Sequence, residues 1–270
     1  MITQREVSQR AFREKMSDRV IEKDYVLTWI LLALADSPLA ELLAFKGGTA
    51  LKKIYFPDYR YSEDLDFTLI GESEPDELMA GLTETLSRLA KSQGFQFELP
   101  LSRVERRAES LTAYVSFVGP LQARAASRDI KIDMTLVEHL VFPVQRRGVV
   151  SEYTDRIERE ILVYSLEEVL TEKLCAIIGR TEPRDVYDAH FLVERPDLDF
   201  YLIPSAFAEK AAKKGVDPAR LAEALSKKQA TLHKMWDNRL HHQVRDLPQL
   251  ERVLRELNRK LREQGLVDPR

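Results

Sequence analysis

The chain has 270 residues, 44% hydrophobic and 31% charged, with a net charge of -3. That length can bury a sizeable core in one large domain or two lobes, and the composition is ordinary for a soluble globular protein. The charge of -3 excludes a surface coated in positive charge, so any nucleic-acid contact has to use a local patch. Cys175 is the only cysteine, which excludes an intramolecular disulfide and fits a reducing compartment; it falls in an apolar helical pattern and is expected to pack in a core. The opening residues carry no apolar signal region, and the apolar run at 30–35 is too short to span a bilayer. A cytoplasmic location with no membrane partner is expected.

In chain order, Ser17-Asp18 can cap a helix reaching about Asp36. Leu42 to Phe45 reads as a short buried strand, Gly47-Gly48 breaks it, and a helix begins at Thr49. Leu65 to Ile70 is the next strand, stopped by Gly71. Pro75 opens an amphipathic helix that ends near Gly94, with Pro at the start and Gly at the end. Phe95 to Leu101, Leu111 to Val118 and Asp129 to Leu136 read as strands of a mostly antiparallel set, with Ile161 to Tyr164 as a further one. Helices follow near 166–179, 184–194, 204–214, 217–228 and 247–263. The pattern thus turns from mixed α/β to all-α, dividing the chain into lobes at 1–165 and 166–270.

Asp64 and Asp66 stand two apart on a predicted strand, so their side chains share a face. Like charges this close repel, and a divalent cation turns the repulsion into binding. Magnesium takes hard oxygen ligands, commonly one or two carboxylates plus substrate phosphates. Leu65 and Phe67 alternate with the acids and face the core. Upstream, Gly47-Gly48-Thr49 lies between a strand and a helix, where glycines let backbone N–H groups approach an anion and Thr49 adds a hydroxyl. The combination reads as a phosphate cradle beside the ligands of its metal. Asp133, alternating with Ile132 and Met134, is a third acid on a polar strand face. If its strand neighbours that of Asp64 and Asp66, three carboxylates converge. Either acidic strand, read alone, could equally be a solvent-facing edge.

Lys173 falls inside an apolar stripe of Leu166, Val169, Leu170, Leu174 and Ile177. A lysine there needs an anionic partner, which a triphosphate would supply, or has to snorkel to water. On the next helix Asp185 and Asp188 share a face; Asp185 could orient Lys173 or cap its own helix. The five histidines have no zinc-type spacing. Arg103, Arg106, Arg107, Arg146 and Arg147 form basic clusters that could meet RNA phosphates. Lys210, Lys213 and Lys214 read as an exposed helix face.

Taken together, Phe45-Lys46-Gly47-Gly48-Thr49-Ala50-Leu51, Tyr61-Ser62-Glu63-Asp64-Leu65-Asp66-Phe67, Lys131-Ile132-Asp133, Glu167 to Lys173, and Arg184-Asp185-Val186-Tyr187-Asp188 resemble the AbiEii/AbiGii toxin family of nucleotidyltransferases. Glu22-Lys23-Asp24-Tyr25 resembles that family's opening segment. The resemblance implies an α+β fold: a DNA polymerase β-like core with a mixed sheet and flanking helices, then a helical C-terminal lobe that completes the active site. It implies Mg²⁺, or Mn²⁺, on Asp64 and Asp66, with Asp133 as a further ligand. Gly47, Gly48, Thr49, Ser62 and Lys173 would hold the nucleotide, and Asp185 would assist catalysis. The implied partners are an NTP, an RNA acceptor with tRNA in first place, and a cognate antitoxin. Two alternatives stay open: the same site acting on a small molecule or protein, and an inert module that binds a partner.

Overall fold

Two hydroxyl caps start the first helices. In the computed structural model, which describes residues 1–122 and 129–267, Thr3 accepts from the Glu6 backbone and Glu6 answers to the Thr3 N–H. This reciprocal cap opens α1 (Gln4–Glu14). Ser17 caps α2 (Asp18–Ala35), which is apolar on nearly every side and buries Ile21, Tyr25, Ile30 and Leu31. Trp29 and Cys175 are buried as expected.

The chain then runs through β1 (Leu43–Lys46), α3 (Gly47–Ala50), a wider helical turn over Leu51–Tyr55, β2 (Asp64–Leu69) and α4 (Pro75–Gln93). Gly94, with φ 77°, closes α4 in the left-handed conformation that glycine adopts freely. Next come β3 (Gln96–Glu98), β4 (Glu105–Arg107), β5 (Ser110–Val118), β6 (Asp129–Thr135), β7 (Gln145–Gly148) and β8 (Glu160–Val163). Five helices complete the described chain: α5 (Leu166–Gly179), α6 (Pro183–Val193), α7 (Ile203–Lys213), α8 (Leu221–Leu240) and α9 (Leu250–Glu263).

The chain forms two compact units. The first comprises Met1–Glu138 and Val144–Val163; the second comprises His139–Pro143 and the chain from Tyr164 onward. In the first, the strands make one sheet in the order β3-β5-β6-β2-β1-β8-β7, with β4 also on β5. The set is mostly antiparallel, as expected, with β5 antiparallel to both β3 and β6; two parallel pairings, β2 with β6 and β1 with β8, make the sheet mixed. Along β2 and β6, Leu65, Phe67, Ile130, Ile132 and Met134 are buried, while Asp64, Asp66, Lys131 and Asp133 between them are half-buried. The period of two therefore gives the sheet a core face and a polar face.

The Glu22-Lys23-Asp24-Tyr25 segment braces this unit from inside. Asp24 accepts from Lys53 Nζ and from the Tyr153 hydroxyl, each at 2.7 Å. Lys53 lies just after α3, so this buried pair ties α2 to the helical turn that follows Gly47-Gly48. Glu22 accepts from the Leu121 N–H at 2.7 Å.

In the second unit, Ser165 caps α5. Lys210 corrects the reading of an exposed lysine face. It shares the buried side of α7 with Ile203, Ala206, Phe207 and Ala211 and is fully buried. Its Nζ donates to Glu168 Oε1 at 2.5 Å and to the His139 carbonyl at 2.8 Å. Glu168 Oε2 accepts from the backbone of Val141 and Phe142. A buried charge needs such a partner, and here the pair also pins the 139–143 segment to the helices.

Candidate active site

Gly47 stands at the end of β1 with φ 79°, a backbone conformation that side chains resist. A Cβ there would lie 2.6 Å from Asp66 Oδ2, so the Asp66 carboxylate fills the space over the glycine. Thr49 is buried, and its hydroxyl donates to the Asp64 main-chain carbonyl at 2.5 Å. The Gly-Gly-Thr turn and the acidic strand are thus fastened together at both aspartates. Ser62 is half-buried just before β2, where the path is held by Lys52 Nζ donating to the carbonyls of Pro57 and Tyr59 at 2.7 and 3.0 Å.

The register extends the polar face sideways. Asp66 is flanked by Lys46 on β1 and Asp133 on β6, and Asp133 in turn faces Thr112 on β5. One step along, Asp64 faces Lys131, which faces Tyr114. Asp133 therefore does lie on the strand beside Asp64 and Asp66. Its two oxygens are engaged, Oδ1 by the Thr112 hydroxyl and Oδ2 by Lys131 Nζ. Among the described residues, no three His, Cys, Asp or Glu side chains are grouped so as to hold a metal ion. Burial disfavours the charged form of Lys131, but the hydrogen bond and charge of Asp133, with Asp64 and Asp66 behind, outweigh it and raise its pKa. Lys131 and Thr112 had no place in the sequence reading of the site. The alternation around Asp133 was the signal that could have brought Lys131 in.

In the second unit, the anionic partners that Lys173 requires are protein carboxylates. Its Nζ lies 2.9 Å from Asp185 Oδ1 and 2.8 Å from Asp188 Oδ2, and the two aspartates are at most 1% exposed. Arg180, also missed in the sequence, donates to Asp185 at 2.7 and 3.0 Å in a two-pronged grip. Burial raises the pKa of Asp185, yet Lys173 and Arg180 together lower it below the ordinary carboxylate value. Lys228 supports this corner by donating to the carbonyls of Ile177, Ile178 and Arg180 at 2.6–2.8 Å.

The arginine clusters do not make one patch. Arg106 and Arg107 lie on β4 at one edge of the sheet, and Arg146 and Arg147 on β7 at the other. Four of the five arginines face carboxylates of their own unit: Arg103 with Asp129, Arg106 with Asp76, Arg107 with Glu105 and Arg146 with Glu41. Arg147 stacks over the Tyr55 ring at 4.9 Å.

A strand, a Gly-Gly turn opening a helix, and an acidic pair on the adjoining strand thus stand together, and solved structures share the fold that holds them. MenT4, a nucleotidyltransferase toxin from Mycobacterium tuberculosis H37Rv, superposes with a TM-score of 0.70 at 17% identity, covering 100% of this chain and 91% of its own. JHP933 from Helicobacter pylori superposes with a TM-score of 0.58 at 18% identity, covering 92% of this chain and 93% of its own. No curated protein matches the sequence. The model of the nucleotidyl transferase AbiEii toxins of type IV toxin–antitoxin systems matches residues 29–262, and the chain belongs to that family of enzymes. Among the described residues, no helix is long and apolar enough to cross a membrane.

Proposed function

We propose that the chain transfers a nucleoside monophosphate from an NTP to an RNA acceptor, tRNA in first place, using Mg²⁺ or Mn²⁺ at Asp64 and Asp66, and that a cognate antitoxin counters it. The observation that carries the reading is Asp66 seated over Gly47. A carboxylate against a turn shaped for phosphate would repel its ligand unless a cation lay between them. The donor set fits that cation: two half-buried carboxylates on one strand face, hard oxygen donors in the number that magnesium commonly takes from protein. When bound, the ion supplies charge neutralisation and Lewis acidity at the phosphate oxygens.

The chain's own residues do the remaining work. Gly47 and Gly48 leave the backbone open to phosphate, and Thr49 holds the turn against Asp64. Ser62 offers a hydroxyl close in sequence to the acidic pair. The family resemblance assigns the nucleotide to Lys173, which is paired with Asp185 and Asp188 in the second unit. In the reaction, an acceptor hydroxyl oxygen bonds to the α-phosphorus and the bond from that phosphorus to the β-bridging oxygen breaks. Pyrophosphate leaves with the electron pair, and the hydroxyl proton passes to solvent. The acceptor class rests on the family resemblance.

The test is incubation with each α-labelled NTP, Mg²⁺ and total RNA. Label in a tRNA band is expected with at least one NTP. Label only in a small molecule or a protein would move the acceptor to that class, and no transfer with any NTP would overturn the proposal.

A further inference from the structure

The third acid of the polar face is held by its neighbours in the sheet. Asp133 gives one oxygen to the Thr112 hydroxyl and the other to Lys131 Nζ, both within the sheet. Lys131 stands opposite Asp64 in the register with the neighbouring strand, and its ammonium is paired with Asp133. The nearest other lysine in the register, Lys46 opposite Asp66, has Glu138 within 4.0 Å.

We propose that Lys131 is the resident cation of this face: its ammonium takes the position that a second divalent ion would otherwise occupy against Asp133, and so limits the protein to one such ion. The inference rests on the reading of Asp64 and Asp66 as metal ligands. Geometry agrees with it, because the described side chains contain no three-ligand group while Asp133 is turned to Lys131 and Thr112. A lysine on a flexible stem is a compact point charge suited to this place. Its side chain is 38% exposed, so its replacement leaves the core untouched.

The experiment is a titration of the full chain, without nucleotide, with Mn²⁺ alone, following free Mn²⁺ by electron paramagnetic resonance. Wild type should bind one ion. Lys131→Met should bind a second ion, or the first at least tenfold more tightly. Lys131→Arg, which keeps the charge, should behave as wild type, and Lys131→Met with Asp133→Asn should lose the gain. Two ions on wild type, or one ion of equal affinity on wild type and Lys131→Met, would overturn the inference and leave the metal reading standing. No Mn²⁺ bound by wild type would overturn the metal assignment itself, and the inference with it.

Discussion

Replacing Gly47 by alanine tests the contact that joins the turn to the acidic strand. At φ 79° an L side chain costs ~1–2 kcal/mol. The new Cβ would also lie 2.6 Å from Asp66 Oδ2. The carboxylate has to leave its rotamer, which adds ~0.5–1.5 kcal/mol. Together these give about 2–3 kcal/mol, a fall in Tm of roughly 5–10 °C. In an Asp66→Ala background the oxygen is gone and only the backbone cost remains. The two changes should therefore couple by ~1 kcal/mol in a double-mutant cycle. Thermal and urea unfolding of the four proteins provide the measurement. An equal cost of Gly47→Ala in both backgrounds, or no cost in either, would refute the packing of Asp66 over the glycine.

Further outcomes follow from the second unit. Lys173→Met should lower stability by ~3–5 kcal/mol, because Asp185 and Asp188 stay buried without their shared cation; urea unfolding at neutral pH reads this, and an unchanged midpoint would contradict the pairing. Asp185 has its folded pKa depressed, so its stabilisation is present above its ordinary value of about 3.8 and disappears as pH falls through the lower native one. The advantage of wild type over Asp185→Asn, measured by urea unfolding from pH 7 to pH 3, should hold down to that value and shrink below it. Lys210→Met should cost ~3–5 kcal/mol by leaving Glu168 buried and unpaired by charge, and Glu168→Gln should recover part of the loss when added to it, as followed by thermal unfolding.

The parts of this molecule legible in the sequence are those where burial writes a period. Asp64 to Leu69, Ser110 to Val118 and Asp129 to Thr135 alternate because one side of each strand meets the core. The acidic pair and the Gly-Gly turn were legible for a different reason, since each is costly without a ligand or a special backbone. Edge strands are silent by comparison. Glu105–Arg107 is wholly exposed and Gln145–Gly148 nearly so, and such residues show no apolar alternation. The parallel pairing of β2 with β6 lies between segments more than 60 residues apart in the chain, and no local pattern encodes it. Helix α8 runs on to Leu240, past the polar Lys227-Lys228-Gln229 stretch, because Leu232, Trp236 and Leu240 resume the buried stripe at four-residue spacing. Lys210 was misread for want of a partner in view. Its glutamate lies 42 residues earlier, so a buried lysine and an exposed one look alike until the fold is known.

The measurement that bears most directly on the central claim is label transfer from α-labelled NTP to RNA by wild type and Asp64→Asn, under saturating Mg²⁺. The substitution removes a charge without changing volume, and the unfolding midpoint should stay close to wild type. Transfer should fall at least about a hundredfold, equivalent to ~2.7 kcal/mol of transition-state stabilisation. Transfer by a folded Asp64→Asn variant at the wild-type rate would contradict the account.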